Sequence, residues 1–198
     1  MSISYNTDIL IIGAGLAGLS AANDLQQAGH SVLVIDKGRG LGGRLAGRRI
    51  GEATFDHGAQ FMTAREPRFK AAVARWIKAG VAEEWYCSYP GQPNGHPRYR
   101  GVPTMTAIAK YLATDIQVMR NIRVETITPQ QTQWLAELGN GETVTANKLL
   151  ITSPVPQTLD LLTDIAVPTD KQARLDRIEY ESCLAVMAIL DGPTAIEA

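Results

Sequence analysis

Three glycines spaced as GxGxxG, in Gly13-Ala14-Gly15-Leu16-Ala17-Gly18, constrain this chain more than any other feature. Residues 8–12, just before them, form a short continuous apolar run of the kind a parallel strand needs when helices cover both its faces. After them Leu16, Leu19, Ala22 and Leu25 recur at helical spacing, with Asn23, Gln26 and Gln27 on the other side and Gly29 placed to end the helix. A second apolar run, residues 32–35, completes strand, tight turn, helix and strand within the length of one βαβ unit. Each glycine then has a steric reason: Gly13 makes the turn, Gly15 lets an anion approach the backbone, and Gly18 lets the helix pack on its strand. Free N–H groups and the positive end of the helix dipole complete an anion site.

Asp36 follows the second run, at about the ~20-residue offset where a carboxylate takes the ribose hydroxyls of a bound dinucleotide. A carboxylate there repels a 2′-phosphate, so the unit suits FAD or NAD rather than NADP, and the shared adenosine end leaves those two open. The next residues separate them. Asp36-Lys37-Gly38-Arg39-Gly40-Leu41-Gly42-Gly43-Arg44 is too rich in glycine to begin the second crossover helix of an NAD domain. It reads as a second phosphate cradle, whose backbone from Lys37 to Gly43 approaches the pyrophosphate and whose Arg44 pairs with phosphate oxygens through a charge-assisted fork. Arg39, Arg48 and Arg49 read as solvated.

Together with FDHGAQFMTAR and, more softly, RYRGVPTMTAIAKYL, the segments IIGAGLAGLSAA and DKGRGLGGRLAGRR resemble the FAD-dependent amine-oxidase-like flavoproteins, and more closely the bacterial branch of the renalase family. The resemblance implies FAD as cofactor, its adenosine and pyrophosphate held by Gly13, Ala14, Gly15, Leu16, Ala17, Gly18, Asp36, Lys37, Gly43 and Arg44. It places the stretch 56–61, with His57, Gly58, Ala59 and Gln60, beside the flavin ring, and Val124 near the adenine through its backbone. It implies oxidation of isomeric dihydronicotinamide dinucleotides, or of amine-like substrates, by hydride transfer to the flavin, which O2 reoxidises with formation of hydrogen peroxide. The cofactor supplies that chemistry, so no protein nucleophile is needed and no catalytic residue is assigned. Family members are longer and return to the flavin through a Gly-Asp dipeptide that this chain lacks, so it is expected to be an N-terminal portion of such an enzyme. A non-catalytic FAD-binding fragment and an NAD-dependent dehydrogenase are the alternatives.

Nineteen basic residues against twenty acidic ones give a formal charge of −1, so no global field draws the chain to nucleic acid or an anionic membrane, and a small molecule is the expected partner. The three histidines show no ligand spacing, and no metal is expected. Cys87 and Cys183 form no motif and read as packing residues of a protein in a reducing compartment, the cytoplasm by default. The apolar run at residues 9–12 is too short for a membrane span or a signal h-region. Composition says nothing about oligomeric state.

The expected fold class is α/β: a Rossmann-type FAD-binding domain with a parallel sheet, made of residues 1–62 and 116–153, plus part of a second α+β substrate domain, residues 63–115 and 154–198. Within the first, residues 122–127 read as a strand. A β-hairpin, 132–138 turning at Gly139-Asn140-Gly141 into 142–145, precedes a last strand at 148–152. Within the second, Pro67 opens a helix that ends at Gly80, residues 90–103 read as loop, a short helix follows Thr104, and 183–190 reads as a strand.

Overall fold

The computed structural model describes residues 3–87 and 95–192. In chain order its elements are β1 (Ser4–Ile12), α1 (Leu16–Gln27), β2 (Val32–Asp36), β3 (Gly47–Ile50), β4 (Ala53–Asp56), α2 (Pro67–Lys78), β5 (Ala82–Tyr86), β6 (Arg98–Gly101) and α3 (Thr106–Leu112). There follow β7 (Gln117–Arg120), β8 (Val124–Pro129), β9 (Trp134–Leu138), β10 (Thr143–Ile151), α4 (Val155–Leu161) and α5 (Thr169–Leu175). The chain forms two compact units, residues 1–43 with 112–183, and residues 44–111 with 184–198.

A six-stranded sheet in the order β7-β2-β1-β10-β9-β8 is the frame of the first unit. Its β1 is parallel to β2 and to β10, and β7 is parallel to β2, while β9 and β8 run antiparallel. The apolar run predicted such a strand: Leu10 and Ile11 are both fully buried although they point to opposite faces. On one face Leu10, Ile12, Leu33 and Ile35 join Val144 and Ala146 in the core, and α1 packs on β1 and β2.

The expected βαβ opening and parallel sheet are present, and the differences have local causes. The second arm of the hairpin and the last strand are one nine-residue strand, β10, because Ala146 continues the ladder with Trp134 while β1 pairs along the other edge to Ile151. Residues 154–183, expected with the second domain, fold in the first unit, where Leu161, Leu162 and Ile165 pack against the sheet core. The joint after the glycine loop likewise lies at Gly43–Arg44 rather than after residue 62. Strand β7 has no apolar run to announce it and is made by pairing with β2.

The second unit contains two antiparallel hairpins, β3–β4 and β5–β6, the latter irregular between Glu84 and Tyr86. Helix α2 begins at Pro67 because proline suits a first turn, and the Glu66 carboxylate caps it by accepting from the Phe69 N–H at 2.9 Å. It buries Val73 and Trp76. Part of the expected loop, Arg98–Gly101, is strand β6, whose short alternation was hidden between prolines; residues 88–94 lie outside the described residues. Residues 183–190 form no strand, since a continuous apolar run becomes one only where a neighbour takes its hydrogen bonds, and among the described residues none does. Cys87 and Cys183 are exposed thiols, not packing residues. Among the described residues no helix is long and apolar enough to cross a membrane.

The same substitution at two leucines separates core from surface. Leu10→Ala, at a position 0% exposed, is expected to cost about 2–5 kcal/mol in urea denaturation through lost transfer energy and the cavity left behind. Leu184→Ala, at a position 94% exposed, stays within about 0.5 kcal/mol of the parent.

Candidate functional site

In the first unit the chain leaves β1 through a turn whose Gly13 N–H donates to Ile35 O at 2.8 Å, tying the turn to the end of β2. Gly18 packs so closely that a Cβ there would meet Gly13 O at 1.9 Å. Gly15 is the opposite case, because a Cβ built on it meets nothing within 4 Å. Its face is open at the start of α1, where the first N–H groups have no intrahelical acceptor and the dipole is positive. Ala14 is buried, Leu16 is half-buried and Ala17 is exposed on that first turn. Thr152, which sequence reasoning passed over, holds the turn from β10: its hydroxyl lies 3.1 Å from Ile12 O and 3.2 Å from Gly13 O. Only its place just after an apolar strand hinted at this.

Asp36 sits where the two glycine loops meet. Its carboxylate accepts from Ala14 N–H at 2.5 Å and from Gly38 N–H at 2.6 Å, which fixes its orientation and leaves oxygen lone pairs for further donors. The second loop folds back on the first, with Gly42 N–H donating to Ala14 O at 2.8 Å and Gly42 bridging Gly15 in parallel fashion. A Cβ on Gly43 would lie 3.5 Å from Gly15 Cα. Lys37 is exposed. From the β7 side Asn121 N–H donates to Gly38 O at 3.0 Å and Ile122 N–H to Asp36 O at 3.2 Å. Val124 follows at once, its side chain buried in the sheet core and its backbone at the start of the edge strand β8.

In the second unit the backbone of Arg44 clasps the stretch 57–60. Ala59 N–H donates to Arg44 O at 2.8 Å, and a Cβ on Gly58 would meet that oxygen at 2.1 Å, so only glycine fits. The Arg44 side chain, His57 and Gln60 are exposed. Met62 pairs with Tyr99 of β6 through two backbone hydrogen bonds of 2.8 and 2.9 Å, which fixes the far end of the stretch. Asp56, at the near end, accepts from Met105 N–H at 3.1 and 3.0 Å on its two oxygens. Burial pushes its carboxyl above the ordinary 3.8, opposed by the Met105 hydrogen bond and the charges of His57 and Arg100.

A cleft of about 300 Å³ runs past Asp56, His57 and Gln60 to Trp85 and Arg100 on the β5–β6 hairpin, with residues 185–187 along one side. Phe61, Trp85 and Tyr86 pack tilted or edge-on, and the Arg98 guanidinium lies 5.5 Å from the Phe61 centroid and 4.9 Å from that of Tyr86. Sequence reasoning gave Trp85 and Arg100 no role, because only a hairpin pairing brings them to one cleft. His96, exposed, is not among the residues lining it. No group of three or more His, Cys, Asp or Glu among the described residues is placed to hold a metal ion.

Residues 11–76 match the family model of the NAD(P)-binding Rossmann-like domain. The L-amino acid dehydrogenase of Synechocystis sp. is 39% identical over 72 residues, 36% of this chain and 15% of the relative. The flavin-dependent L-tryptophan oxidase of Lentzea aerocolonigenes is 29% identical over 139 residues, 67% of this chain and 29% of the relative. These matches thus cover less than a third of either relative's length. Among solved structures, wild-type putrescine oxidase bound to putrescine aligns with a TM-score of 0.69 at 15% identity, over 87% of this chain and 64% of that one. At that identity the likeness establishes the fold.

Two measurements test this geometry without any ligand. Gly18→Ala should lose about 1–3 kcal/mol in denaturant unfolding because its Cβ has a backbone oxygen in the way, whereas Gly15→Ala should keep the parent midpoint. For Asp56 the folded carboxyl titrates above the unfolded one, so its contribution to stability is fully present below the unfolded value and is lost as pH rises through the folded one. Wild type should therefore gain stability relative to Asp56→Asn as pH falls from neutrality towards 3.8, and unfolding curves across that range check it.

Proposed function

We propose that the chain is an FAD-dependent oxidoreductase of the amine-oxidase-like kind, a reading supported by the Rossmann-like family match and the flavin-dependent relatives, and that it binds FAD and serves oxidation of an isomeric dihydronicotinamide dinucleotide by hydride transfer to the flavin. The observation that carries the reading is the stacking of two glycine loops at the end of β1, with Asp36 oriented at their junction and the face of Gly15 open. A Cβ would fill the approach that a pyrophosphate needs, so the residues present fit the group. After Asp36 the chain runs through the glycine loop into β3 rather than into a crossover helix, which disfavours NAD as the resident dinucleotide.

In this reading the N–H groups of Gly15, Leu16, Ala17 and Gly18 take the pyrophosphate, with Ala14 and Gly13 shaping the turn. Asp36 accepts the ribose hydroxyls on its remaining lone pairs, while Lys37, Gly43 and Arg44 add donors and positive charge to the phosphates. The backbone of Val124 borders the adenine. His57, Gly58, Ala59 and Gln60 border the ring, their backbone held by Arg44 O so that the polar edges of His57 and Gln60 stay free for substrate or flavin. Bound FAD supplies the hydride acceptor, and its reoxidation by O2 yields hydrogen peroxide. The residues' work is to orient the donor carbon and exclude water. An amine or amino acid as hydride donor is a second reading, favoured by the names of the dehydrogenase and the two oxidases above.

Purified chain offered FAD should show a flavin absorbance band that bleaches anaerobically on addition of a dihydronicotinamide isomer. Gly15→Val and Asp36→Ala, folded by circular dichroism, should each weaken FAD binding by about tenfold or more, the size expected for a lost charged hydrogen bond or a blocked phosphate approach. Full flavin retention in both variants overturns the cofactor site. A band that bleaches only with amines or amino acids selects the second reading, and one that persists with every donor leaves a flavin-binding module without turnover.

A further inference from the structure

Within the second unit, Arg100 is half exposed and held in one orientation by its neighbours. Its Nε donates to Glu83 Oε1 at 2.8 Å and its Nη2 lies 2.7 Å from the same oxygen. Its carbon sits 5.6 Å from the centroid of Trp85, itself 38% exposed although tryptophan is among the largest apolar side chains. Glu83 therefore occupies the Nε–Nη2 side of the guanidinium. The Nη1–Nη2 side, the fork that matches a carboxylate or phosphate, has no hydrogen-bond partner among the described residues. Arg100 and Trp85 both line the cleft that His57 and Gln60 share.

We infer that Arg100 and Trp85 form a substrate subsite for a planar ring bearing a nearby anion, the guanidinium fork taking the anion and the indole the ring. Glu83 is then a positioning residue: it spends one oxygen to fix the guanidinium plane and leaves the outer fork for ligand. A cationic donor such as a simple amine gains nothing from that fork, so the subsite selects against it. The same chemistry is offered by the phosphates of a dinucleotide with its base and by the carboxylate of an aromatic amino acid. The inference rests on the proposed flavin-dependent reading only for what reacts, not for what binds.

Titration calorimetry on the full chain, with ADP-ribose and L-phenylalanine as the anionic probes and 2-phenylethylamine as the ring without an anion, tests it. Binding of at least one anionic probe is expected, weakened about tenfold or more by Arg100→Gln and by Trp85→Leu, with 2-phenylethylamine weaker than L-phenylalanine and indifferent to Arg100→Gln. Which anionic probe shows the Arg100 dependence identifies phosphate or carboxylate as the source. Arg100→Lys keeps the charge but not the fork and should fall between; it serves also if the glutamine variant does not fold. No binding by either anionic probe, binding indifferent to both residues, or an amine that binds as tightly as L-phenylalanine overturns the subsite. Flavin content is read separately from absorbance, and the adenosine site near Asp36 does not depend on Arg100, so failure of the cofactor reading is seen apart from failure of the subsite.

Discussion

Burial of β1 on both faces and along both edges is the constraint on which the first unit depends. A strand whose consecutive residues Leu10 and Ile11 are both fully buried must have apolar cover on each side and partners for every ladder hydrogen bond, and β2 and β10 supply the latter in parallel. Parallel neighbours deliver their C-terminal ends to the same edge of the sheet. The Gly13 turn, Asp36 and Thr152 are therefore brought together by strand direction alone, and the glycine turn stands where three strand ends meet.

The second unit follows a different logic. Its hairpins are short and partly exposed, and the stretch 56–62 is placed by backbone hydrogen bonds to Arg44 and Tyr99 and by the Asp56 carboxylate on the Met105 N–H rather than by a deep core. Side chains on such a stretch stay accessible while their backbone is fixed, which is what a wall of a binding cleft requires. Asp56 marks the cost, as a carboxylate partly withdrawn from water and compensated by one amide.

The opening βαβ unit was legible because each of its signals is local: residues 8–12, the glycine spacing and Asp36 all lie within one supersecondary unit and agree with one another. The glycine loop after Asp36 was legible for the same reason. What sequence missed is long-range. Strand β7 exists because β2 offers an edge, Thr152 holds Gly13 from the far side of the chain, and Trp85 meets Arg100 only through the irregular β5–β6 pairing. Residues 183–190 erred the other way, since their continuous apolar run promised a strand but no partner among the described residues took it. Pattern reports what a segment would accept, and neighbours decide what it gets.

The hydroxyl that steadies the glycine turn is contributed 139 positions later in the chain, by Thr152 to Gly13. During synthesis the fingerprint that opens the molecule thus emerges long before its support, and β1 waits unpaired along one edge until β10 has been made. The Gly13 turn is among the first parts to be written, while its full set of hydrogen bonds waits for Thr152. A ligand that grips it would therefore favour the closed sheet over every earlier intermediate, coupling cofactor capture to the completion of folding.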